Sequence, residues 1–260
     1  MKEITKGIIL LNKKEGDTPL RALQSFRAKK NRNKKYKDEK MTYAGRLDPM
    51  ASGAMLVLLG EEIKNKEKYL KLSKEYKFSV LFGFATDTYD ILGKVTKVPH
   101  RQDLWGEANL EEKIRESLKF FTGKFMQSYP MYSSKTVKGK QLFEYAREGI
   151  KVKVPEREVS VKSLKLLKIN KIIGKKLLEN IERRVAKVKG DFRQKEILKI
   201  WHEKILSNKR RSFFLASFKI KCGSGTYVRA IANDLGEKMN IPALAFSIKR
   251  TKIGKWGQNS

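Results

Sequence analysis

One short stretch, AGRLDPMASG at residues 44–53, could present a carboxylate for chemistry. Asp48 follows Arg46 closely and precedes a proline, and Gly45 and Gly53 bound the group. Because glycine, proline and aspartate are common turn residues, this pattern taken alone is more typical of a plain surface turn. It also suits a loop that exposes an acid to a substrate, since a carboxylate can serve as a nucleophile or as a general acid or base.

Other kinds of catalytic site find little support in the sequence. No GxxxxGK[ST] or GxGxxG motif occurs, His100 and His202 stand alone, and no CxxC is present. A zinc site needs three or four clustered ligands, so we expect no metal. Cys222 falls on the apolar side of a predicted strand and is interpreted as a core residue. Chemistry would therefore depend on carboxylates, tyrosines and basic groups.

The charge of the chain points to a polyanionic partner. The 260 residues include 59 Lys and Arg against 28 Asp and Glu, a formal net charge of +31. Such an excess favours nucleic acid, although a lysine-rich composition can also be a thermophile trait. No apolar run reaches the ~18 residues that span a membrane, and the N-terminus does not resemble a signal peptide. With a single cysteine as well, we expect a cytoplasmic protein without membrane contact.

The elements that must position Asp48 follow from hydrophobic periodicity. Apolar residues alternate from Tyr76 to Phe82, which predicts a half-buried strand. Strands and helices interleave, but several strands are too close in sequence for helical crossovers. We therefore predict an α+β fold with a mixed, mostly antiparallel sheet flanked by helices and loops. Strands are predicted at 7–12, 55–60, 76–83 and 213–222, and helices after Thr18-Pro19 and at about 110–121, 140–150 and 227–239.

Two strongly basic segments interrupt this pattern. Residues 27–40 contain eight basic and two acidic residues, which predicts a solvated loop or an arm that contacts phosphates. A second segment, at about 164–212, is predicted to form one or two basic, amphipathic helices. Within it, residues 182–212 hold eleven basic and four acidic residues. We interpret the second segment as an insertion in a single domain that spans residues 1–260.

Five blocks of the sequence, taken in order, resemble the TruB family of pseudouridine synthases, which make pseudouridine 55 in the T-loop of tRNA. The resemblance covers roughly 1–160 and 213–257, apart from the two basic segments. It implies the pseudouridine synthase fold, the T-arm of tRNA as substrate, and no cofactor, because the reaction oxidises nothing. The blocks are GIILLNKKEGDTPL, AGRLDPMASG, KEYKFSVLFGFATDTYDILGKV, PMYSSKTVKGKQLFEYAREGIKV and CGSGTYVRAIANDLG.

The resemblance implies three catalytic residues. Asp48 matches the family's catalytic aspartate, and Arg229 matches the arginine that pairs with it. Tyr76 matches the tyrosine that stacks on the target base and takes part in proton transfer. An arginine beside a carboxylate favours the ionised carboxylate and orients its oxygens, and a tyrosine ring suits a flipped base.

Other residues match the family's substrate-binding or supporting positions. Tyr43 stands where the family usually has a histidine that helps to hold the space left by the flipped base. Lys13 supports the catalytic loop, and Asp90 is implied to be structural or to contact RNA. The full set implied to bind or support the substrate is Tyr43, Gly45, Arg46, Leu47, Tyr227, Ile248, Lys13 and Asp90.

Several features leave alternatives open. Many relatives carry a C-terminal RNA-binding PUA domain, which we do not expect here, and the basic segments could replace its grip on RNA. The chain could instead be a tRNA-folding chaperone without chemistry, or a pseudouridine synthase for another stem-loop RNA. The block PMYSSKTVKGKQLFEYAREGI is typical of the bacterial type rather than of guide-RNA-dependent relatives. We expect a monomer with no obligate protein partner.

Overall fold

The computed structural model describes residues 2–5, 7–30, 39–98, 107–206 and 209–257, and a large sheet dominates this part of the chain. Its strands, with those of two small hairpins, are β1 (Lys2–Thr5), β2 (Ile8–Lys13), β3 (Met41–Ala44), β4 (Ala51–Leu59), β5 (Lys74–Phe82), β6 (Ala85–Thr86), β7 (Val95–Lys97), β8 (Gly123–Ser128), β9 (Thr136–Val137), β10 (Lys140–Gln141), β11 (Glu156–Ile173), β12 (Ser212–Cys222), β13 (Ala243–Ile253) and β14 (Trp256–Gly257).

The large sheet has ten strands within the described residues. Eight follow the order β1–β2–β4–β13–β5–β12–β11–β8, while β3 pairs with β4 and β14 pairs with β13. The described strand pairs of this sheet are antiparallel except for β4 with β13, which run parallel. The predicted α+β fold with a mixed, mostly antiparallel sheet is therefore confirmed.

Helices cover the sheet and supply part of its core. The alternating residues Tyr76 to Phe82 of β5 are buried in one cluster with residues of two helices, including Ile114 and Ile231. The side-chain oxygen of Thr18 accepts a hydrogen bond from the N–H of Arg21 at 3.2 Å, which confirms the predicted N-cap. The helices are α1 (Pro19–Lys30), α2 (Lys66–Leu70), α3 (Glu107–Ser117), α4 (Leu142–Glu148), α5 (Gly174–Val185), α6 (Gln194–Leu206) and α7 (Val228–Lys238).

The segment predicted as helical at about 164–212 begins as a strand instead. Residues up to Ile173 extend β11, and Ile173 pairs with Ser212 of β12. The prediction was wrong for residues 164–173 because pairing with β12 overrides the local pattern. A register shift between Leu166 and Lys168 lets Leu164, Leu166 and Ile169 all pack against the core, although the lysines recur at every third residue. The helical part is confirmed for α5 and α6. We call the unit from 174 to 206 the helical insert.

The helical insert packs onto the sheet rather than standing apart from it. Its side chains Leu177, Ile181 and Trp201 are fully buried, in one cluster with Phe84 and Phe213. The rings of Trp201 and Phe84 have their centroids 5.1 Å apart. The helical insert therefore shares a hydrophobic core with the sequence blocks on either side of it.

The first basic segment, predicted as a loop at 27–40, is only partly described. Residues 27–30 belong to α1, so the loop prediction is wrong for them, and residues 31–38 lie outside the described residues. Within the part of the chain that the structure describes, no helix is both long and apolar enough to cross a membrane.

Candidate active site

The predicted site residues meet around one cavity of about 870 Å³. Lys13 is the exception among them, because it lies buried behind the loop rather than in the cavity wall. Each of the five sequence blocks contributes at least one residue to the lining of this cavity. The predicted residues that line it are Tyr43, Gly45, Arg46, Leu47, Asp48, Tyr76, Asp90, Tyr227, Arg229 and Ile248.

Asp48 sits in a turn that presents its carboxylate to the cavity. The backbone carbonyl of Asp48 accepts a hydrogen bond from the N–H of Ala51 at 3.0 Å, which closes the turn just before β4. Leu47 anchors the turn in the core, whereas the side chain of Asp48 keeps 38% of its surface exposed. Asp48 is therefore the accessible acid that the sequence pattern suggested.

Arg229 holds the carboxylate from the opposite wall. Its Nε donates to Asp48 Oδ2 at 2.8 Å, while Nη1 and Nη2 donate to the carbonyls of Thr88 and Tyr132 at 2.7 and 2.8 Å. The side chain is only 3% exposed, and such burial opposes a charge. The nearby carboxylates of Asp48 and Asp90 outweigh burial and raise the pKa of Arg229 above its ordinary value. Arg229 is thus a fixed, permanently charged partner for Asp48.

Tyr76 supplies a buried aromatic surface to the cavity. It lies near the start of β5, with Ile220 opposite it on one neighbouring strand and Arg250 on the other. Burial raises the pKa of Tyr76, and the charge of Arg250 opposes that shift only in part. The hydroxyl is therefore protonated at neutral pH and can donate a hydrogen bond.

Lys13 secures the Asp48 loop from behind. Its fully buried ammonium donates to the carbonyls of Lys14, Asp17 and Pro49 at 3.0, 2.5 and 3.3 Å. Burial lowers the pKa of Lys13 to about 8, although the acids around it partly counter this effect. Gly16 N–H donates to the same Pro49 carbonyl at 2.9 Å. Lys13 and Gly16 of the first block thus both bond to the carbonyl of Pro49, the residue that follows Asp48.

Arg250 is a supporting residue that the sequence reasoning missed. Only 1% exposed, it donates from Nε to the carbonyl of Ala54 at 2.6 Å, and from Nη2 and Nη1 to those of Gly45 and Arg46 at 3.3 Å each. The side chain of Arg250 therefore binds backbone carbonyls near both ends of the AGRLDPMASG stretch. A signal was present, because Arg250 lies two residues after Ile248 and must share its face of a strand.

Tyr227 and Asp90 are held by specific contacts at the cavity wall. The backbone N–H and carbonyl of Tyr227 both bond to the side-chain amide of Gln127, at 2.9 and 3.1 Å. Asp90 Oδ1 accepts from the N–H of Leu92 and from the hydroxyl of Thr88, both at 2.9 Å. Burial raises the pKa of Asp90 to about 6, against the effect of nearby Arg229. Asp90 therefore stabilises the turn that contains Thr88. The carbonyl of Thr88 in turn accepts a hydrogen bond from Arg229.

The remaining predicted residues border the mouth of the cavity. Tyr43 is half-buried on β3, and Ile248 is half-buried on β13 opposite Ala51. Gly45 has a φ of +86°, a backbone conformation that favours glycine, and Arg46 is exposed. An exposed arginine beside the acid suits a negatively charged substrate such as a phosphate backbone.

Comparisons with known proteins identify a family that matches most of this chain. Residues 33–190 match the TruB family pseudouridylate synthase N-terminal domain. The tRNA pseudouridine synthase B of Lactobacillus acidophilus is 34% identical over 244 residues, which cover 94% of this chain and 67% of that protein. The protein of the same name from Aquifex aeolicus is 30% identical over 247 residues, which cover 95% of this chain and 68% of the relative.

Solved structures with the same fold include a Cbf5–Nop10–Gar1 complex, with a TM-score of 0.56 and 19% identity. An H/ACA RNP bound to a substrate RNA containing 2′-deoxyuridine has a TM-score of 0.53 and 17% identity. Each match covers 97% of this chain, which spans about half of the length of those solved chains. The predicted pseudouridine synthase fold is thereby confirmed. Because the family pattern covers more than half of its residues, the chain belongs to the TruB family of pseudouridylate synthases.

Proposed function

We propose that the protein isomerises uridine to pseudouridine in tRNA, at position 55 of the T-loop, by the action of Asp48 on a flipped-out base. Family membership and relatives that are named tRNA pseudouridine synthase B support the reaction and the tRNA substrate. The observation that carries the proposal is the bond from Arg229 to an accessible Asp48 in a cavity walled by Tyr76.

The reaction makes demands that this cavity meets. The bond from N1 of the uracil to the sugar breaks, the uracil turns, and C5 bonds to the sugar in its place. C5 then loses a proton and N1 gains one, and a carboxylate that attacked the sugar leaves again. Asp48 either attacks the sugar or assists a glycal intermediate, and in both routes it works as the ionised form beside Arg229. Tyr76 offers a flat face to the base and a protonated hydroxyl for proton transfer. Neither route calls for a metal or a redox cofactor.

Binding of the RNA would combine stacking with phosphate contacts. Extruding a base costs a few kcal/mol of unstacking, which contacts inside the pocket offset. Arg46, Lys71, Arg147 and Arg157 line the cavity and supply positive charge near its mouth. RNA loops are recognised mainly by shape and by unstacked bases, so a T-loop suits a concave, basic and aromatic site. Within this proposal the protein acts in the cytoplasm as a monomer.

The experiment is a pseudouridine assay on an unmodified tRNA transcript, without added metal or cofactor. Pseudouridine is mapped at single-nucleotide resolution for the wild type, for Asp48→Asn and for Glu61→Gln. We expect a signal at the T-loop uridine that Asp48→Asn abolishes while RNA binding changes by no more than a few-fold. Glu61→Gln removes one exposed carboxylate, on a side chain 86% exposed, and should retain full activity.

Other outcomes would point elsewhere. Full activity of Asp48→Asn would exclude the proposed mechanism. A chaperone would be indicated by a well-folded wild type that makes no pseudouridine but binds tRNA and speeds its folding, with Asp48→Asn equally effective in both respects. Modification of a different stem-loop in a pool of transcripts would keep the chemistry and change the substrate.

A further inference from the structure

The helical insert reaches the catalytic cavity through its linker, which we define as residues 186–193. Phe192 and Arg193 of this linker line the cavity. The segment lies outside the five blocks that carry the family resemblance, so the resemblance assigns no role to these residues.

The linker is anchored to the same block that supports the Asp48 loop. Arg184, just before it, donates to Glu15 Oε2 at 2.7 Å with a side chain only 8% exposed. Gly16 has a φ of +93°, and a Cβ there would lie 2.6 Å from the carbonyl oxygen of Lys187. The N–H of Lys189 also donates to the Gly16 carbonyl at 3.4 Å. These contacts with Glu15 and Gly16 fix the position of the linker beside the Asp48 loop.

Arg193 makes the linker's most specific contacts. Its Nη1 donates to Asp87 Oδ2 at 2.7 Å and to the hydroxyl of Tyr132 at 2.6 Å. The guanidinium also lies 4.3 Å from the centroid of the Tyr132 ring. Its backbone has a φ of +62°, which arginine adopts less readily than glycine or asparagine. A residue with an uncommon backbone conformation and specific side-chain contacts is typical of functional sites.

Both partners of Arg193 belong to the segments that hold Arg229. Tyr132 offers its carbonyl to Arg229 Nη2 at 2.8 Å. Asp87 precedes Thr88, whose carbonyl accepts from Arg229 Nη1 at 2.7 Å. Asp87 also accepts from the N–H of Lys94 at 2.8 Å and so closes the turn that carries Thr88. One arginine of the helical insert therefore ties together the two segments that fix the position of Arg229.

We propose that Arg193 is a positioning residue that aligns Arg229 with Asp48 by clamping Tyr132 to Asp87. The inference rests on the proposed function for its kinetic consequence, but its structural consequence can be measured without turnover. The helical insert is then a working part of the active site as well as a source of hydrophobic core. Loss of the clamp should impair the chemical step rather than RNA binding, because small displacements of catalytic groups slow reactions strongly.

The kinetic test compares Arg193→Gln with Lys199→Gln, which removes one positive charge from an exposed position on α6 of the same insert. We expect Arg193→Gln to lower kcat by about tenfold or more, with KM within about twofold, and Lys199→Gln to change neither. Arg193→Lys should recover part of kcat by restoring the charge near Asp87. Arg193→Asn suits the left-handed backbone and serves as the second variant if Arg193→Gln folds poorly.

A double-mutant cycle with Tyr132→Phe tests the clamp itself. This change removes the hydroxyl that accepts from Arg193 and keeps the ring. If Arg193 acts through Tyr132, the double variant should lose no more kcat than the more severe single variant. Independent, multiplicative losses would overturn the proposal, as would a rise in KM alone or equal effects of the two Gln variants.

A spectroscopic readout separates this inference from the proposed function. The ¹H–¹⁵N signal of Arg229 Nε, identified by its loss in Arg229→Lys, reports the bond to Asp48. Arg193→Gln should shift or broaden that signal, and Lys199→Gln should leave it in place. If the wild type lacks synthase activity but the signal responds in this way, the positioning role stands and the proposed function fails. An unchanged signal in Arg193→Gln overturns the positioning role whatever the activity.

Discussion

Two arginines divide the support of Asp48 between side chain and backbone. Arg229 bonds to the carboxylate itself, whereas Arg250 bonds to the backbone carbonyls of Gly45, Arg46 and Ala54 on either side of it. A guanidinium suits both tasks, because its planar fork offers several donors in a rigid geometry. Lys13 adds a third buried cation on the far side of the loop. At the scale of single residues, the site is a carboxylate on a loop held by three buried basic groups.

Lys13 should make stability depend on pH in a defined direction. The pKa of Lys13 is about 8 in the folded protein against 10.5 as the reference for the unfolded chain, so between these values the unfolded state binds more protons. Stability attributable to Lys13 therefore rises with pH across that window. We expect the wild type to gain about 2 to 3 kcal/mol relative to Lys13→Met between pH 7 and pH 10.

Urea unfolding of both proteins at a series of pH values measures this difference. The contributions of other titrating groups to the pH dependence are shared by the two proteins and cancel in the difference. The Lys13→Met variant therefore serves as the control for the wild type. A difference that stays constant across the range would show that Lys13 titrates normally.

At the scale of elements, the close approach of β4 to β13 positions the AGRLDPMASG stretch. These two strands form the parallel pair of the described sheet, and Arg250 lies opposite Gly53. Gly53 has a φ of +108°, and a Cβ there would lie 2.2 Å from the backbone oxygen of Arg250. The glycine that ends AGRLDPMASG is therefore required by packing as well as by conformation.

Gly53→Ala should destabilise the protein far more than Gly123→Ala. Gly123 has a similar φ of +89°, but a Cβ there would meet nothing within 4 Å. We expect Gly123→Ala to lower the free energy of unfolding by about 1 kcal/mol, because of the backbone conformation alone. Gly53→Ala should lower it by at least about 3 kcal/mol, because β4 and β13 must also separate. Urea denaturation of the two variants provides the comparison. Equal losses would mean that β13 can move away without cost.

The helical insert is basic in composition and also contributes to the hydrophobic core. The helical insert carries ten Lys and Arg against five Asp and Glu, yet it buries Leu177, Ile181 and Trp201 against the sheet. Apart from the buried Arg184, its charged residues lie on the remaining surface, as amphipathic helices require. Basic composition and core packing therefore coexist in the same segment.

At the scale of the whole molecule, the net charge of +31 governs association with RNA. Basic side chains that neutralise phosphates release counterions, so affinity falls steeply as salt rises. We expect tRNA affinity to drop by about 10³-fold or more between 50 and 200 mM salt, as for proteins that contact six or more phosphates. Fluorescence titration of labelled tRNA measures the slope.

Asp48→Asn serves as the control for this slope, because the proposed role of this carboxylate is to act on the nucleoside rather than to bind phosphates. Its salt dependence should match that of the wild type. If the affinity hardly changes with salt, the positive charge of the molecule does not contribute to RNA binding.

Much of the architecture and of the site was predictable from the sequence. Strand β5 followed from the alternation between Tyr76 and Phe82, and the start of α1 from Thr18 and the proline after it. Both are local patterns, because side-chain period and capping depend on neighbours a few residues apart. The residues Asp48, Tyr76 and Arg229 came from resemblance to a family, and the structure places all three at one cavity.

The sequence by itself determined the fold class, the positive field of the molecule and the set of residues that could catalyse the reaction. Only the tertiary structure decided that β11 continues to Ile173, that Arg250 holds the Asp48 loop, and that Arg193 reaches Tyr132. The reason is physical: a guanidinium is satisfied by whichever carbonyls and carboxylates lie nearest in space. Residues 46 and 250, or 132 and 193, become neighbours only after distant strands and helices have packed.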